Sequence, residues 1–425
     1  MVPGVIGEDS ERDLATLMVA RVGRLEETGS PWEPYRLVDP SGAVVKPAAR
    51  FLVELQALGR SEATQRSYGN DLLRWFRFLW AIGVPWDQAT RAEARDYSRW
   101  VQVAGKPKSI RWSPGVGEPT ARKAASSAAA PRPNLVTGKT PPGPTYAPAT
   151  AAHGESVLRA FYDLHVETGQ GPMVNPFPLV RGRRRGRPGA HRSPMDPPRS
   201  QRTGLYRPKL VQRPPRCIPD EKFNELFAAL GSHRDRALVA FWVSTGARAS
   251  ELLGARCGDL DTGSQLITVI RKGTRAMQPL PASPDAFVWL RLCQAEFHGQ
   301  VPTGRDDPLW WTLRRPFRQL TYHAARAMFT RVGALLGANW SLHDLRHTAA
   351  YSSRDDGMPL TDVQWILGHA QLTTTQIYTS APLEETIASV LAHHARRAAA
   401  PSLPAGGAPE YRPESLDVLF PGESR

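Results

Sequence analysis

The sequence predicts a mainly α-helical protein with one small antiparallel β-sheet, arranged as two domains joined by a basic linker. Three observations lead there. Apolar residues recur at helical spacing in two stretches, one between Thr64 and Leu164 and one from Asp220 onward. The run Gln265 to Pro281 begins with β-branched residues and is broken at Lys272-Gly273, as a hairpin would be. Between the two helical stretches, residues 181–216 are rich in Pro and Arg and carry too little apolar material to build a core.

Taken in order, residues 1–45 are polar, with scattered Pro and Gly and no sustained period, and no fold is assigned to them. The segment from Thr64 spaces Leu72, Phe76, Leu79 and Trp80 as an amphipathic helix does and stops at Gly83, a residue type that readily takes the left-handed conformation ending many helices. A second helix is expected over Arg91–Val103. Residues 104–150 turn Ala-, Pro-, Ser- and Lys-rich and are expected to form a disordered insertion. Helical spacing resumes at Val157, Leu158, Phe161 and Leu164 and ends near Asn175-Pro176-Phe177, which gives a helical domain over 46–180. Beyond the linker, a second domain over 217–400 opens with helices at about 220–230 and 234–244, the latter carrying Leu238, Phe241 and Trp242. A short helix containing Leu252 and Leu253 precedes the hairpin. Everything after the hairpin is expected to be helical, down to a last helix at Leu383–Ala399 and a Pro/Gly-rich tail over 401–425.

Charge narrows the choice of partner. Lys and Arg number 54 against 40 Asp and Glu, a net charge of +14. Residues 181–216 hold twelve basic groups, among them Arg181, Arg183, Arg184, Arg185 and Arg187, against the single acid Asp196. That stretch therefore carries +11 and leaves +3 for the remainder. Such an excess favours a polyanion, although composition alone suits a ribosome-binding or anionic-lipid-binding protein equally well. No run of about 18 uncharged apolar residues occurs, and the N-terminus lacks both the basic and the apolar segment of a secretory signal, so neither a membrane span nor export is expected. Cys217, Cys257 and Cys293 are odd in number, widely spaced and free of any CxxC, which argues against a disulfide framework or zinc finger and for a reducing, cytoplasmic compartment.

Several residues could carry chemistry, and each has a plainer reading. Ser341-Leu342-His343-Asp344 has a capping-box pattern, so a helix should start at Leu342 and run toward Gly357. His343 and Arg346 then lie three apart on it, on one face, which could equally be a solvated polar face. His343 and His347 have the spacing of a zinc pair, but HDLRH lacks the Glu that a metalloprotease needs, and no metal is expected. Thr361-Asp362 starts another helix that Gly368 ends, placing His369 in a turn. Tyr378 follows nine residues later and, taken alone, reads as a packing aromatic. Arg248 follows the Thr245-Gly246 turn, where a guanidinium can reach an anion instead of covering a helix face. Glu251, taken alone, suits an exposed helix acid. From Phe223 to Arg425 there is a single lysine, Lys272, at the hairpin turn, an ordinary place for a solvated lysine as well.

In this order, TGARASELL, the hairpin IRKG, HDLRH, LGH and the late tyrosine resemble the tyrosine recombinase (phage integrase) family over about 180 residues. The resemblance implies a catalytic domain over 217–400 whose reacting groups are Arg248, Lys272, His343, Arg346, His369 and the nucleophile Tyr378. It also implies that 46–180 is a core-binding DNA-binding domain. The implied partner is double-stranded DNA, bound by a homotetramer in a bacterial cytoplasm, on behalf of a mobile genetic element and with no cofactor, no metal and no membrane. Two positions depart from the family pattern: Ala247 stands where leucine is usual, and Arg271 where glycine precedes the hairpin lysine. Both are read as changes outside the reacting groups.

The chemistry fits those residue types. A phosphodiester anion repels nucleophiles, and two arginines that stay protonated and present planar forks of donors can neutralise its developing charge. A tyrosine hydroxyl with a pKa near 10 needs a cationic field or a base, which His343 could supply. A departing 5′ oxygen needs a proton, which lysine can give and arginine cannot. Arg181, Arg183, Arg184, Arg185 and Arg187 are expected to contact DNA phosphates. A type IB topoisomerase, rejoining the original strand, and a non-catalytic DNA-binding relic remain open at this point.

Overall fold

The structure, a computed structural model, describes residues 12–14, 16–106, 132–141, 143–180, 203–210, 215–369, 372–375 and 391. Tyr378, the linker residues Arg181, Arg183, Arg184, Arg185 and Arg187, and the tail lie outside them, as does the expected helix Leu383–Ala399 apart from Leu391. The chain divides into two compact units, 1–133 with 138–212 and 134–137 with 213–425.

The first unit is helical with a two-stranded hairpin. Strands β1 (Arg24–Glu27) and β2 (Tyr35–Val38) pair antiparallel with Arg24 opposite Val38. They pack on α1 (Lys46–Ala57) and α2 (Glu62–Ile82), and α3 (Arg91–Val103) and α4 (Pro148–Glu167) pack on those helices and on each other. Helix α2 begins at Ser61, whose hydroxyl accepts from the Thr64 amide, and ends at Gly83 with φ +69°, the stop read from the sequence. Helix α3 is closed at its start by a Thr90–Glu93 capping box. Trp75, Phe78, Phe161, Tyr162 and Phe177 fill the core, and Trp75 Nε1 donates to the Tyr162 hydroxyl at 2.9 Å. The stretch 104–150 differs from its expectation at both ends. Gly105 pairs with Thr145, and α4 starts at Pro148, well before the apolar period resumes.

The second unit surrounds one central helix. Before the sheet come α5 (Asp220–Ala228), α6 (His233–Thr245) and α7 (Ala249–Leu253). The sheet has order β3 (Leu260–Asp261), β4 (Leu266–Ile270), β5 (Met277–Pro281), all antiparallel, with Ile267 opposite Leu280 and Ile270 opposite Met277. After it come α8 (Pro284–Glu296), α9 (Tyr322–Leu335), α10 (Leu342–Asp355), α11 (Leu360–Leu367) and α12 (Leu372–Thr375). Helix α6 buries Leu238, Val239, Ala240, Phe241 and Trp242 in succession, which a helix does only when covered on all sides. The expectation that everything after the hairpin is helical fails at 297–321. That stretch is irregular and held by single bridges, Arg256 to Pro308 and Trp311 to Gln319, with Trp310 Nε1 donating to the Leu252 carbonyl at 2.8 Å. No helix among the described residues is long and apolar enough to cross a membrane.

Candidate active site

The site is built where α6 ends. Gly246 caps α6 in the left-handed region, φ +60°, and turns the chain so that Arg248 becomes the N-cap residue of α7. Its side chain is 30% exposed and its Nη1 donates to Glu251 Oε1 at 2.9 Å, while its amide donates to Oε2 at 3.0 Å. Glu251 is therefore not an exposed helix acid. Its side chain is 1% exposed and accepts two further bonds, from the Lys272 amide at 2.9 Å and from Arg271 Nη1 at 3.0 Å. Burial works to raise the carboxyl's pKa, and the backbone amides of Lys272 and Arg248 with the Arg248 and Arg271 guanidinium groups outweigh it, so the group is held below the usual carboxylate range.

One carboxylate thus fixes the backbone that carries Lys272 against the segment that carries Arg248. The Lys272 side chain is exposed at the hairpin turn. Arg346 arrives from the other side. Helix α10 starts at Leu342 behind the predicted box, in which the Ser341 amide and hydroxyl both donate to Asp344 Oδ2, at 2.7 and 2.9 Å. Arg346 then points inward and is 3% exposed, with Nη1 donating to the Gly246 carbonyl at 2.7 Å and Nη2 to the Leu367 carbonyl at 2.5 Å. A solvated polar face is excluded for it. His343, one turn earlier, is exposed and packs edge-on against His347 with ring centroids 4.4 Å apart.

His369 sits just past α11, after Gly368 at φ +60°. Its Nδ1 lies 2.9 Å from the buried Thr375 hydroxyl of α12. Burial, followed by the charges of Arg346, Arg248 and Arg271 and then by His347, pushes the imidazole down to about 4. It is neutral at pH 7 and lies within the field of both candidate arginines. Arg248, Lys272, Arg346 and His369, spread over 122 positions of sequence, are therefore gathered at one place, and His343 stands at its margin through His347.

Sequence reasoning passed over two residues of this arrangement. Thr375 gave no signal beyond its place in a polar run. Arg271, read as a change outside the reacting groups, is 3% exposed and bonded within the site. The signal that could have found it is the strand alternation: Ile267, Val269 and Arg271 fall on one face of the hairpin, and the first two are core residues.

The sequence profile of the Phage integrase family matches residues 217–385, the span that holds this site. The tyrosine recombinase XerD of Neisseria meningitidis serogroup A is 30% identical over 200 residues, which cover 45% of this chain and 67% of the relative. The chain belongs to the phage integrase family. The tyrosine recombinase XerC of Chlamydia caviae is 31% identical over 182 residues, 41% of this chain and 57% of the relative. The chain thus spans between about half and two thirds of the length of these relatives. The Tn1549 transposon integrase, solved in complex with circular intermediate DNA, matches in fold with a TM-score of 0.52 at 15% identity, over 81% of this chain and 98% of that one.

Proposed function

We propose that the protein is a site-specific DNA recombinase that cleaves and rejoins duplex DNA through a 3′-phosphotyrosyl intermediate, without metal or ATP. The observation that carries the reading is the convergence of Arg248, Arg346 and His369 beside the Lys272 turn, in the domain that matches the family. In this account Arg248 and Arg346 neutralise the charge that builds on the non-bridging oxygens of a backbone phosphate. The Tyr378 oxygen attacks phosphorus, its proton passing to His343, and the bond to the 5′ oxygen breaks. Lys272 protonates that oxygen as it leaves. Neutral His369 donates from Nε2 to a phosphate oxygen, with Nδ1 accepting from the Thr375 hydroxyl, the tautomer that a neutral ring adopts when Nδ1 is the acceptor.

The phosphotyrosyl bond conserves the energy of the broken linkage. A 5′-hydroxyl from a second duplex can then attack it, with Lys272 and His343 exchanging proton roles. The recombinase names of the relatives favour this transfer over rejoining of the original strand, as a type IB topoisomerase would do. Double-stranded DNA is the partner in this reading, engaged by a homotetramer, with Arg181, Arg183, Arg184, Arg185 and Arg187 on the phosphates. The cytoplasm, where a chromosome or mobile element is reached, is the compartment that suits it. A strand-exchange assay tests the proposal: two duplexes of different length, each bearing the element's own junction, should yield recombinant lengths with the purified protein and none with Arg248→Ala. Relaxation of supercoils with no exchanged product would replace the recombinase with a topoisomerase.

A further inference from the structure

We propose that Arg271 is a positioning residue that locks the turn carrying Lys272 to the turn carrying His369. The inference rests on the strand-cleavage reading above and deepens it. Arg271 closes the hairpin, its amide donating to the Ala276 carbonyl at 2.9 Å while its own carbonyl accepts from the Arg275 amide at 3.0 Å. Its side chain then runs inward along the face of Ile267 and Val269 and spreads its donors over three segments. Nε donates to Gln278 Oε1 of β5 at 2.7 Å. Nη1 donates to Glu251 Oε2 at 3.0 Å, and Glu251 also holds the Arg248 guanidinium and the Lys272 amide. Nη2 donates to the carbonyls of Trp365, at 3.4 Å, and Ile366, in the last turn of α11, and Gln278 Nε2 donates to the same Trp365 carbonyl at 2.8 Å.

Two features show that the fit is specific to this side chain. The carbonyls at the end of a helix lack intrahelical partners, and a cation there completes them and meets the negative end of the helix dipole. The guanidinium also lies close against Gly368: a Cβ on that glycine would stand 2.8 Å from Arg271 Nε and 3.0 Å from Cζ. The residue next in sequence is His369. A lysine in this place could satisfy one carbonyl or the carboxylate but not the carbonyls, the carboxylate and the glutamine together, because only guanidinium presents a planar fork. Arg271 and Arg346 therefore hold the end of α11 from two sides, through successive carbonyls, Trp365 and Ile366 on one and Leu367 on the other.

The test uses the full chain and a duplex nicked beside the scissile phosphate, with either the natural 5′ oxygen or a 5′ sulfur as the bridging atom. Sulfur leaves without a proton, so it bypasses Lys272. Arg271→Met is expected to slow single-turnover cleavage of the oxygen substrate about a hundredfold, the loss typical of a reacting group displaced by an ångström, and cleavage of the sulfur substrate by no more than about tenfold. Arg271→Lys should recover part of the difference. Equal losses on both substrates, or an oxygen rate within threefold of wild type, overturn the proposal. Histidine hydrogen–deuterium exchange read by mass spectrometry provides a second arm that needs no substrate. His369 should titrate at higher pH in Arg271→Met than in the wild type, and an unchanged titration also overturns it. Absence of any wild-type adduct would instead remove the strand-cleavage reading, and the exchange measurement would still decide whether Arg271 sets the His369 turn.

Discussion

His369 shows what the site does to a single residue. Its ordinary value is 6.5, and in the folded chain burial and the surrounding guanidinium charges push it down to about 4. The folded state therefore binds this proton less readily than the unfolded chain does. Stability carries no such penalty above pH 6.5 and falls as the pH drops from there toward 4. Thermal unfolding at pH 7 and pH 5 should accordingly show a larger loss for the wild type than for His369→Gln, and equal losses would mean that burial and the guanidinium charges together do not hold this ring below its ordinary value. Glu251 acts in the same direction, but its depressed value places its loss below the usual carboxylate range, outside that comparison. At this scale the residue types proposed for the reaction were legible: an arginine after a glycine turn, a lone lysine in a hairpin, and HxxR on a capped helix. Arg271 and Thr375 were not: the partners of Arg271, Glu251 and the α11 carbonyls, lie 20 or more positions away, and Thr375, six positions from His369, sits on a four-residue helix in a polar run.

Among the elements, α11 has the most to lose from a small change. Eight residues cannot hold a helix by propensity alone. It is fixed instead by Val363 and Leu367 in a small cluster with Ala350 and Tyr351, and by the two arginines at its end. Gly368→Ala should cost about 2 kcal/mol for the left-handed backbone, and more for the approach to Arg271. The expected result is a midpoint lower by roughly 4–8 °C together with slowed cleavage; a midpoint within 1 °C would mean that the turn relaxes freely. Helix stops at Gly83, Gly246 and Gly368, the Ser341 box and the hairpin turn at Lys272-Gly273 could all be read in advance, since each is set by local chemistry; the second strand, read as ending at Pro279, runs on to Pro281. The irregular stretch 297–321 could not, because its order comes from bridges to Arg256 and a tryptophan bonded to α7, both made by tertiary packing.

Across the whole molecule, charge and chemistry occupy different stretches of chain. Most of the net charge lies in 181–216, and the groups proposed to react lie beyond it. Affinity is assigned to the first and reaction to the second. Replacing Arg183, Arg184 and Arg185 by glutamine should flatten the log–log salt dependence of DNA binding by roughly 0.9 for each phosphate that is no longer neutralised, while an unchanged slope would take the linker off the DNA. Composition puts a boundary in that stretch, and the two compact units part at 212/213. The membership of residues 134–137 in the second unit was not legible. There Asn134 Nδ2 donates to the Gly337 carbonyl at 2.7 Å and Thr137 bonds Asn339, a link across about 200 positions from a stretch whose composition reads as unstructured.

The claim on which the rest depends is that Tyr378 forms the covalent bond to DNA. Trapping the adduct on a nicked duplex, digesting the protein and sequencing the DNA-linked peptide by mass spectrometry tests it most directly. The expected product is a 3′-phosphate joined to the Tyr378 oxygen in the wild type, with no adduct in Tyr378→Phe. A linkage to another residue, attachment through a 5′-phosphate, or an adduct that survives Tyr378→Phe would contradict it.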